Sequence, residues 1–187
     1  RPLAEVEILR NGLGISDQEK VIVTTSRLAY KNGVDTLIRS IVFLDRTFKL
    51  VIVGDGADRA ALEQLTQSLN LNVRVIFVGQ VVQNKLPLYL KLGDVFVRTS
   101  RSEGLGNSFL EAMAAGVPVI GTAVGVITDF LKDGETGFIV PVDDPVVLAG
   151  KIKIILSNQI DMSVIIERAR TLVRERYSWD HIAAQIR

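Results

Sequence analysis

Two glutamates separated by seven residues stand in the stretch Ser100-Arg101-Ser102-Glu103-Gly104-Leu105-Gly106-Asn107-Ser108-Phe109-Leu110-Glu111-Ala112-Met113-Ala114-Ala115-Gly116. Gly106 and Asn107 suit the opening of a helix, which puts Glu111 about one turn inside it and leaves Glu103 in the loop before it. A carboxylate at Glu111 can accept hydrogen bonds from two vicinal hydroxyls of a ribose, while the N–H groups of Asn107 and Ser108 point at a diphosphate. Glu103 then stands where a sugar would lie. A bare pair of acids at this spacing also occurs on ordinary helices, where a glutamate near the amino end is favourable in any case. The surrounding glycines set this pair apart. Hydrolysis of a glycoside would need two carboxyls facing each other across one bond, a geometry that spacing alone does not establish.

Two further segments carry candidate chemistry. Ser26-Arg27-Leu28-Ala29-Tyr30-Lys31-Asn32-Gly33 puts two cations on a glycine-containing turn. Arg27, Lys31 and the N–H groups of a following helix could hold phosphate oxygens there, and a solvated loop reads equally well. Gly54-Asp55-Gly56 begins like a dinucleotide fingerprint, but Arg59 stands where the third glycine belongs. NAD binding is therefore excluded, and Gly54 and Gly56 are kept as points of close backbone approach.

These segments follow apolar runs at residues 21–23, 50–53, 73–78, 95–97 and 117–120, with a weaker run at 138–140. The runs are continuous rather than alternating, as strands covered on both faces require. Between them lie helix-length segments at 33–44, 58–69, 85–92 and 107–115, so the reading is an α/β fold with a doubly wound parallel sheet and right-handed crossovers. Helices alone are expected afterwards, at 145–156, 163–176 and 178–186. One domain is the reading for 1–187, with an irregular leading segment at 1–19, an α/β core at 20–141 and carboxy-terminal helices at 142–187. In such a sheet, ligands sit beyond the carboxyl ends of the strands, where the candidate segments fall.

Composition narrows the function classes. The chain has 187 residues, 48% of them hydrophobic, a net charge of +1, no cysteine and a single histidine, His181. A domain of this size can bury a sizeable core without disulfides. Thiol chemistry and zinc sites built on Cys or His clusters are excluded, and nothing in the charge balance points to nucleic acid. No apolar run reaches the roughly 18 residues of a membrane span, so a soluble cytoplasmic protein is expected. The first residue, Arg1, suggests a fragment of something longer. His181, beside Trp179, reads as a surface or packing residue, and Arg168, Arg170, Arg174 and Arg176, interleaved with Glu167 and Glu175, read as a solvated helix face.

The stretch 103–116 with Val117-Pro118-Val119-Ile120 resembles the Glu-x7-Glu signature of a large retaining glycosyltransferase family of the glycosyl transferases group 1 kind, which includes sucrose, trehalose, mannosyl and lipopolysaccharide-core transferases. Arg27-Leu28 with Gly33-Val34-Asp35 is similar to that family's phosphate-binding turn, and Val51-Ile52-Val53-Gly54-Asp55-Gly56 to its second strand. Residues 75–79 and 134–138, together with Tyr177-Ser178-Trp179, also have counterparts. Asn11-Gly12 looks like the short motif just before the carboxy-terminal half of such an enzyme. The resemblance covers nearly the whole chain but only that half.

It implies a Rossmann-like half of a two-domain, GT-B type enzyme. This half would bind a nucleoside-diphosphate sugar, and the missing half would bind the acceptor. By that resemblance Arg27 and Lys31 neutralise the departing diphosphate, Glu103 meets the donor sugar near its reacting carbon, and Glu111 binds the ribose. Gly104, Leu105, Gly106, Asn107 and Ser108 carry backbone donors to sugar and phosphate, and Gln80 and Val81 meet the base. No metal or cofactor is implied, configuration is retained, and peripheral contact of the intact protein with an anionic membrane is a further expectation, because many relatives modify lipids.

Two departures stand against it. The family's phosphate-binding lysine sits five residues after the arginine, where this chain has Asn32, with Lys31 one place earlier. Its paired glycine is reduced to Gly125, followed by Val126. A nucleotide-binding or regulatory module without turnover is the alternative these departures favour.

Overall fold

The computed structural model describes residues 4–104, 106–157 and 160–177. Six parallel strands form one sheet in the order β3-β2-β1-β4-β5-β6. They are β1 (Lys20–Thr25), β2 (Phe48–Val53), β3 (Val75–Gly79), β4 (Val95–Arg98), β5 (Val119–Thr122) and β6 (Phe138–Val140). The helices are α1 (Ala4–Gly12), α2 (Val34–Ser40), α3 (Arg59–Ser68), α4 (Leu86–Leu92), α5 (Asn107–Ala115), α6 (Ile127–Phe130), α7 (Pro145–Leu156) and α8 (Ser163–Arg176). The doubly wound parallel sheet expected from the continuous apolar runs is therefore present.

Each strand divides its side chains between two cores. Ile22, Leu50, Ile52, Val95 and Val97 join one cluster with α2, α3 and α7. Their neighbours Val21, Val23, Val51, Val53 and Phe96 join a second with α1, α4, α5 and α8. Successive strand residues point to opposite faces, so a strand buried on both faces must be apolar at every position. Phe96, Phe109, Phe130 and Tyr177 continue the second core as a chain of aromatic rings with centroids 5.7, 5.9 and 6.0 Å apart.

Several expectations need correction. Residues 4–12, expected to be irregular, form α1, whose Val6 is buried against α4. Asn11-Gly12 closes that helix. The short helix α6 was not foreseen, because four residues are too few to show a period. The segment 33–44 is α2 followed by a 3-10 turn, Ile41–Phe43. Arg170 is not simply solvated, since its Nη2 donates to the carbonyl of Ala115 at 3.4 Å, at the end of α5 where unpaired carbonyls favour a cation. Trp179, His181 and the helix expected at 178–186 lie outside the described residues. No helix among the described residues is long and apolar enough to cross a membrane.

Candidate functional site

The sheet reverses its winding between β1 and β4, which pair at Ile22 with Val95 and at Val23 with Phe96. Beyond these pairs the loops leaving the two strands turn to opposite sides, and a crevice opens between them, as at the ligand sites of doubly wound folds. Here the crevice is a cleft of about 790 Å³. From β1 and its loop come Thr25, Ser26 and Arg27, and from β2 come Val53, Gly54 and Asp55. The loop after β3 adds Gln80, Val81 and Gln83. The far wall is Arg98, Glu103, Gly106, Asn107, Ser108 and Glu111. A second hollow of about 780 Å³ lies at the opposite ends of the strands, where Glu7, Arg10, Asp17, Glu19, Lys20, Lys91 and Asp94 meet. Its polar groups serve the fold: Asp94 Oδ2 accepts from Val21 N at 2.7 Å, and Arg10 reaches the carbonyls of Ser16 and Glu19.

Glycines let the turns that build the cleft close on one another. At Gly54 (φ +135°) a Cβ would stand 1.9 Å from the carbonyl oxygen of Ser26, and at Gly33 (φ +62°) 1.9 Å from that of Thr99. No other residue fits either approach. The approach foreseen at Gly54 is therefore to the turn after β1. The loop after β4 is tied to the 27–33 turn by Arg101, which donates to Asp35 at 2.9 and 2.8 Å and lies 4.2 Å over the Tyr30 ring. Hydrogen bonds to Asp35 and Asp143 raise the Arg101 guanidinium above its ordinary value, and the bonds Asp143 accepts from Arg101 and Thr36 hold its carboxyl below its own. Arg59, which replaces the third glycine of a dinucleotide fingerprint, pairs with Asp55 at 3.2 Å and Glu63 at 2.8 Å.

Of the residues expected at the site, Arg27, Gly54, Gln80, Val81, Glu103, Gly106, Asn107, Ser108 and Glu111 line the one cleft. Glu111 Oε1 accepts from Gln83 Nε2 at 3.1 Å. Gly104 is exposed beside the lining, where its N–H donates to its neighbour Glu103 Oε1 at 3.2 Å. Leu105 lies outside the described residues. Lys31 is the exception among the expected cations. It sits exposed on a 3-10 turn, Tyr30–Asn32, does not line the cleft, and its carbonyl accepts from the N–H groups of Arg101 and Ser102. One residue's step around that tight turn points Asn32 inward instead: Asn32 is buried, and its Nδ2 donates to the carbonyl of Arg27 at 2.5 Å.

Sequence reasoning missed Arg98, the last residue of β4. Its guanidinium is largely buried, with Nη2 at 2.7 Å from Glu103 Oε2 and Nη1 donating to Ser108 Oγ at 2.6 Å. Burial pulls this guanidinium below its ordinary value, and the Glu103 carboxylate opposes that pull. Thr25 was missed as well; its Oγ1 is buried at the cleft without a hydrogen-bond partner among the described residues. The signal available for Arg98 was a cation directly after Val95-Phe96-Val97, since a charged residue closing a buried strand at the switch point faces the crevice. Gly125 (φ +56°), the glycine kept of the expected pair, packs where a Cβ would stand 2.2 Å from the carbonyl oxygen of Glu103, so it helps fix that residue's backbone.

The family model described as Glycosyl transferases group 1 matches residues 5–172. The chain is 37% identical over 178 residues to an uncharacterised glycosyltransferase of Methanocaldococcus jannaschii, covering 94% of this chain and 46% of that one. Its structure is similar to that of Anabaena HepE in complex with UDP and glucose, with a TM-score of 0.92 and 25% identity, over 98% of this chain and 50% of the other. Sucrose-phosphate synthase from Thermosynechococcus elongatus matches with a TM-score of 0.89 and 32% identity, over 99% of this chain and 47% of the other. The chain thus spans about half the length of the curated relatives it matches.

Proposed function

Because the chain belongs to the glycosyl transferases group 1 family, we propose that it is the donor-binding domain of a retaining, metal-independent hexosyltransferase. Its ligand is a nucleoside-diphosphate sugar, held in the cleft between β1 and β4. The observation that carries the reading is the convergence of Arg27, Glu103, the amino end of α5 and Glu111 on that one cleft. The N–H groups of Asn107 and Ser108 open α5 and have no earlier turn to bond, so they suit phosphate oxygens. Glu111 takes the ribose hydroxyls, and the base lies towards Gln80 and Val81.

In the transfer, an acceptor oxygen forms a bond to the anomeric carbon as the bond from that carbon to the phosphate oxygen breaks. Both events occur on one face of the sugar, so configuration is retained. The acceptor proton passes to the departing diphosphate, whose growing negative charge is stabilised by fixed cations and helix N–H groups already in place. Glu103 contacts the sugar near the reacting carbon. The acceptor and the closure that excludes water belong to a second domain. The protein works in the cytoplasm, with peripheral contact to an anionic membrane in its full-length form.

A calorimetric panel of UDP, GDP and ADP, each with its monophosphate and one sugar conjugate, tests donor binding. At least one diphosphate is expected to bind more tightly than its monophosphate. The isolated chain is expected to transfer no sugar, and acceptor-dependent glycosylation by it alone would overturn the assignment of the acceptor site to a second domain. Slow hydrolysis of the donor would not.

A further inference from the structure

Among the described residues the cations that line the cleft are Arg27 and Arg98, and the carboxylates not paired with a cation from outside it are Glu103 and Glu111, since Asp55 is held by Arg59. A diphosphate adds at least two more negative charges. With Arg27 alone, one cation would face Glu103, Glu111 and the diphosphate in a partly enclosed cleft, where like charges repel more strongly than in water. A second cation is required on electrostatic grounds, and Lys31 does not line the cleft.

Arg98 meets the requirement in its position and its donors. Nη2 lies 3.3 Å from Asn32 Oδ1, the buried side chain that donates to the Arg27 carbonyl, so the two arginines are linked through one residue. Nη1 lies 3.4 Å from the carbonyl of Thr25, whose unpartnered Oγ1 is a hydroxyl donor available to the same ligand. These two contacts are long and go to neutral acceptors, so a phosphate oxygen would displace them more readily than the short bonds of Nη1 to Ser108 Oγ at 2.6 Å and of Nη2 to Glu103 Oε2 at 2.7 Å. Glu103 is the carboxylate paired with Arg98.

We propose that Arg98, at the end of β4, supplies the second phosphate-binding cation of this site. Glu103 neutralises Arg98 while the cleft holds no phosphate. When a diphosphate arrives, the guanidinium turns its Nη edge to it beside Arg27, and Glu103 is left to meet the sugar. The inference rests on the donor-binding reading above and adds a residue for which that reading does not account.

The test is the affinity of the chain for UDP and UMP, measured by calorimetry in four proteins: the parent, Arg98→Met, Glu103→Gln and the double variant. UDP binding should weaken on the order of 10- to 100-fold on Arg98→Met, as befits a charge-assisted bond, and UMP binding by much less. The loss should persist in the Glu103→Gln background. A loss that vanishes there would overturn the proposal and reduce Arg98 to a residue that positions Glu103. Equal losses for UDP and UMP would also overturn it. Should Arg98→Met fail to fold, Arg98→Lys, which keeps the charge beside Glu103 but loses the forked donors, is read in its place. It should weaken UDP binding several-fold and UMP binding by much less, and equal losses for the two ligands would refute the proposal. A parent that binds none of UDP, GDP and ADP removes the donor-binding reading itself. A parent that binds while Arg98→Met is unchanged removes only this inference.

Discussion

Replacing Glu111 by glutamine separates a ribose ligand from a helix-surface acid. In the free cleft Oε1 accepts one bond from Gln83 at 3.1 Å, and Oε2 makes none among the described residues. Two ribose hydroxyls could therefore be taken by Oε2 and the outer lone pair of Oε1 without displacing Gln83. Glutamine keeps one acceptor oxygen and turns the other into a donor, so about one charge-assisted hydrogen bond is lost. Glu111 is only partly buried, which discounts the figure, and a loss of about 1 to 3 kcal/mol is expected, roughly 5- to 160-fold in Kd. The fold should be little changed, because glutamate and glutamine differ by only tenths of a kcal/mol in helix propensity. Calorimetry with UDP and 2′-deoxy-UDP on both proteins closes a double cycle. The deoxy ligand should bind the parent less well and lose less on mutation, which leaves a coupling energy. If the two losses simply add, Glu111 does not hold the ribose, and the site built from Glu103 to Glu111 falls with it.

Arg27→Ala should weaken a nucleoside diphosphate by about 1.5 to 3 kcal/mol and its monophosphate by less if, as proposed, Arg27 meets the distal phosphate; equal calorimetric losses would place Arg27 elsewhere. Gly33→Ala combines a left-handed backbone with a Cβ 1.9 Å from the Thr99 carbonyl oxygen, whereas Gly134→Ala, at φ +73°, meets nothing within 4 Å. Urea unfolding should show a loss of about 1 to 2 kcal/mol at Gly134 and a clearly larger one at Gly33, and equal losses would refute the packing role given to Gly33. Hydrogen bonds from Arg101 lower the Asp143 carboxyl in the folded state. Their stabilisation is fully present above the unfolded value of about 4 and is lost as pH falls through the lower folded value. The stability gap between the parent and Arg101→Met should thus be wider near pH 6 than near pH 2.5, though modestly, because Asp143 is half exposed; a constant gap would refute it.

The fold was legible because its signals are local. A run such as Leu50-Val51-Ile52-Val53 can be satisfied only by a strand covered on both faces, and Pro145 with Asp144 marks a helix start by itself: the Asp144 carboxylate accepts from Val147 N at 2.9 Å. α1 was illegible for the opposite reason. Its segment is polar apart from a few residues, with Ile8 exposed, and it is held by packing of Val6 against a helix some eighty residues later. The apolar spacing of Val6, Leu9 and Leu13 is helical, but over so short a segment, with Asn11-Gly12 inside it, that spacing carries little weight until the packing is known.

Legibility at the site followed the same division. Glu103, Gly106 and Glu111 belong to one loop-helix unit, so their closeness in sequence already kept them near the amino end of α5. The cations come from two strands that are distant in sequence and adjacent in the sheet. Whether Lys31 or Asn32 pointed inward, towards Arg27 and Arg98, depended on one residue's rotation around a 3-10 turn whose Lys31 carbonyl is held by the N–H groups of Arg101 and Ser102. Arg98 was harder still, because an arginine ending a strand reads as the edge of solvent until the partner strand is known. Pairing of β4 with β1 brings Arg98 to Thr25 and Asn32, and the crossing of the sheet's winding at that pair makes its strand end the wall of a cleft. A missing lysine in one segment is therefore weak evidence against phosphate binding in a doubly wound fold. Any strand end bordering the switch point can deliver a cation to the same few ångströms, and only the topology says which.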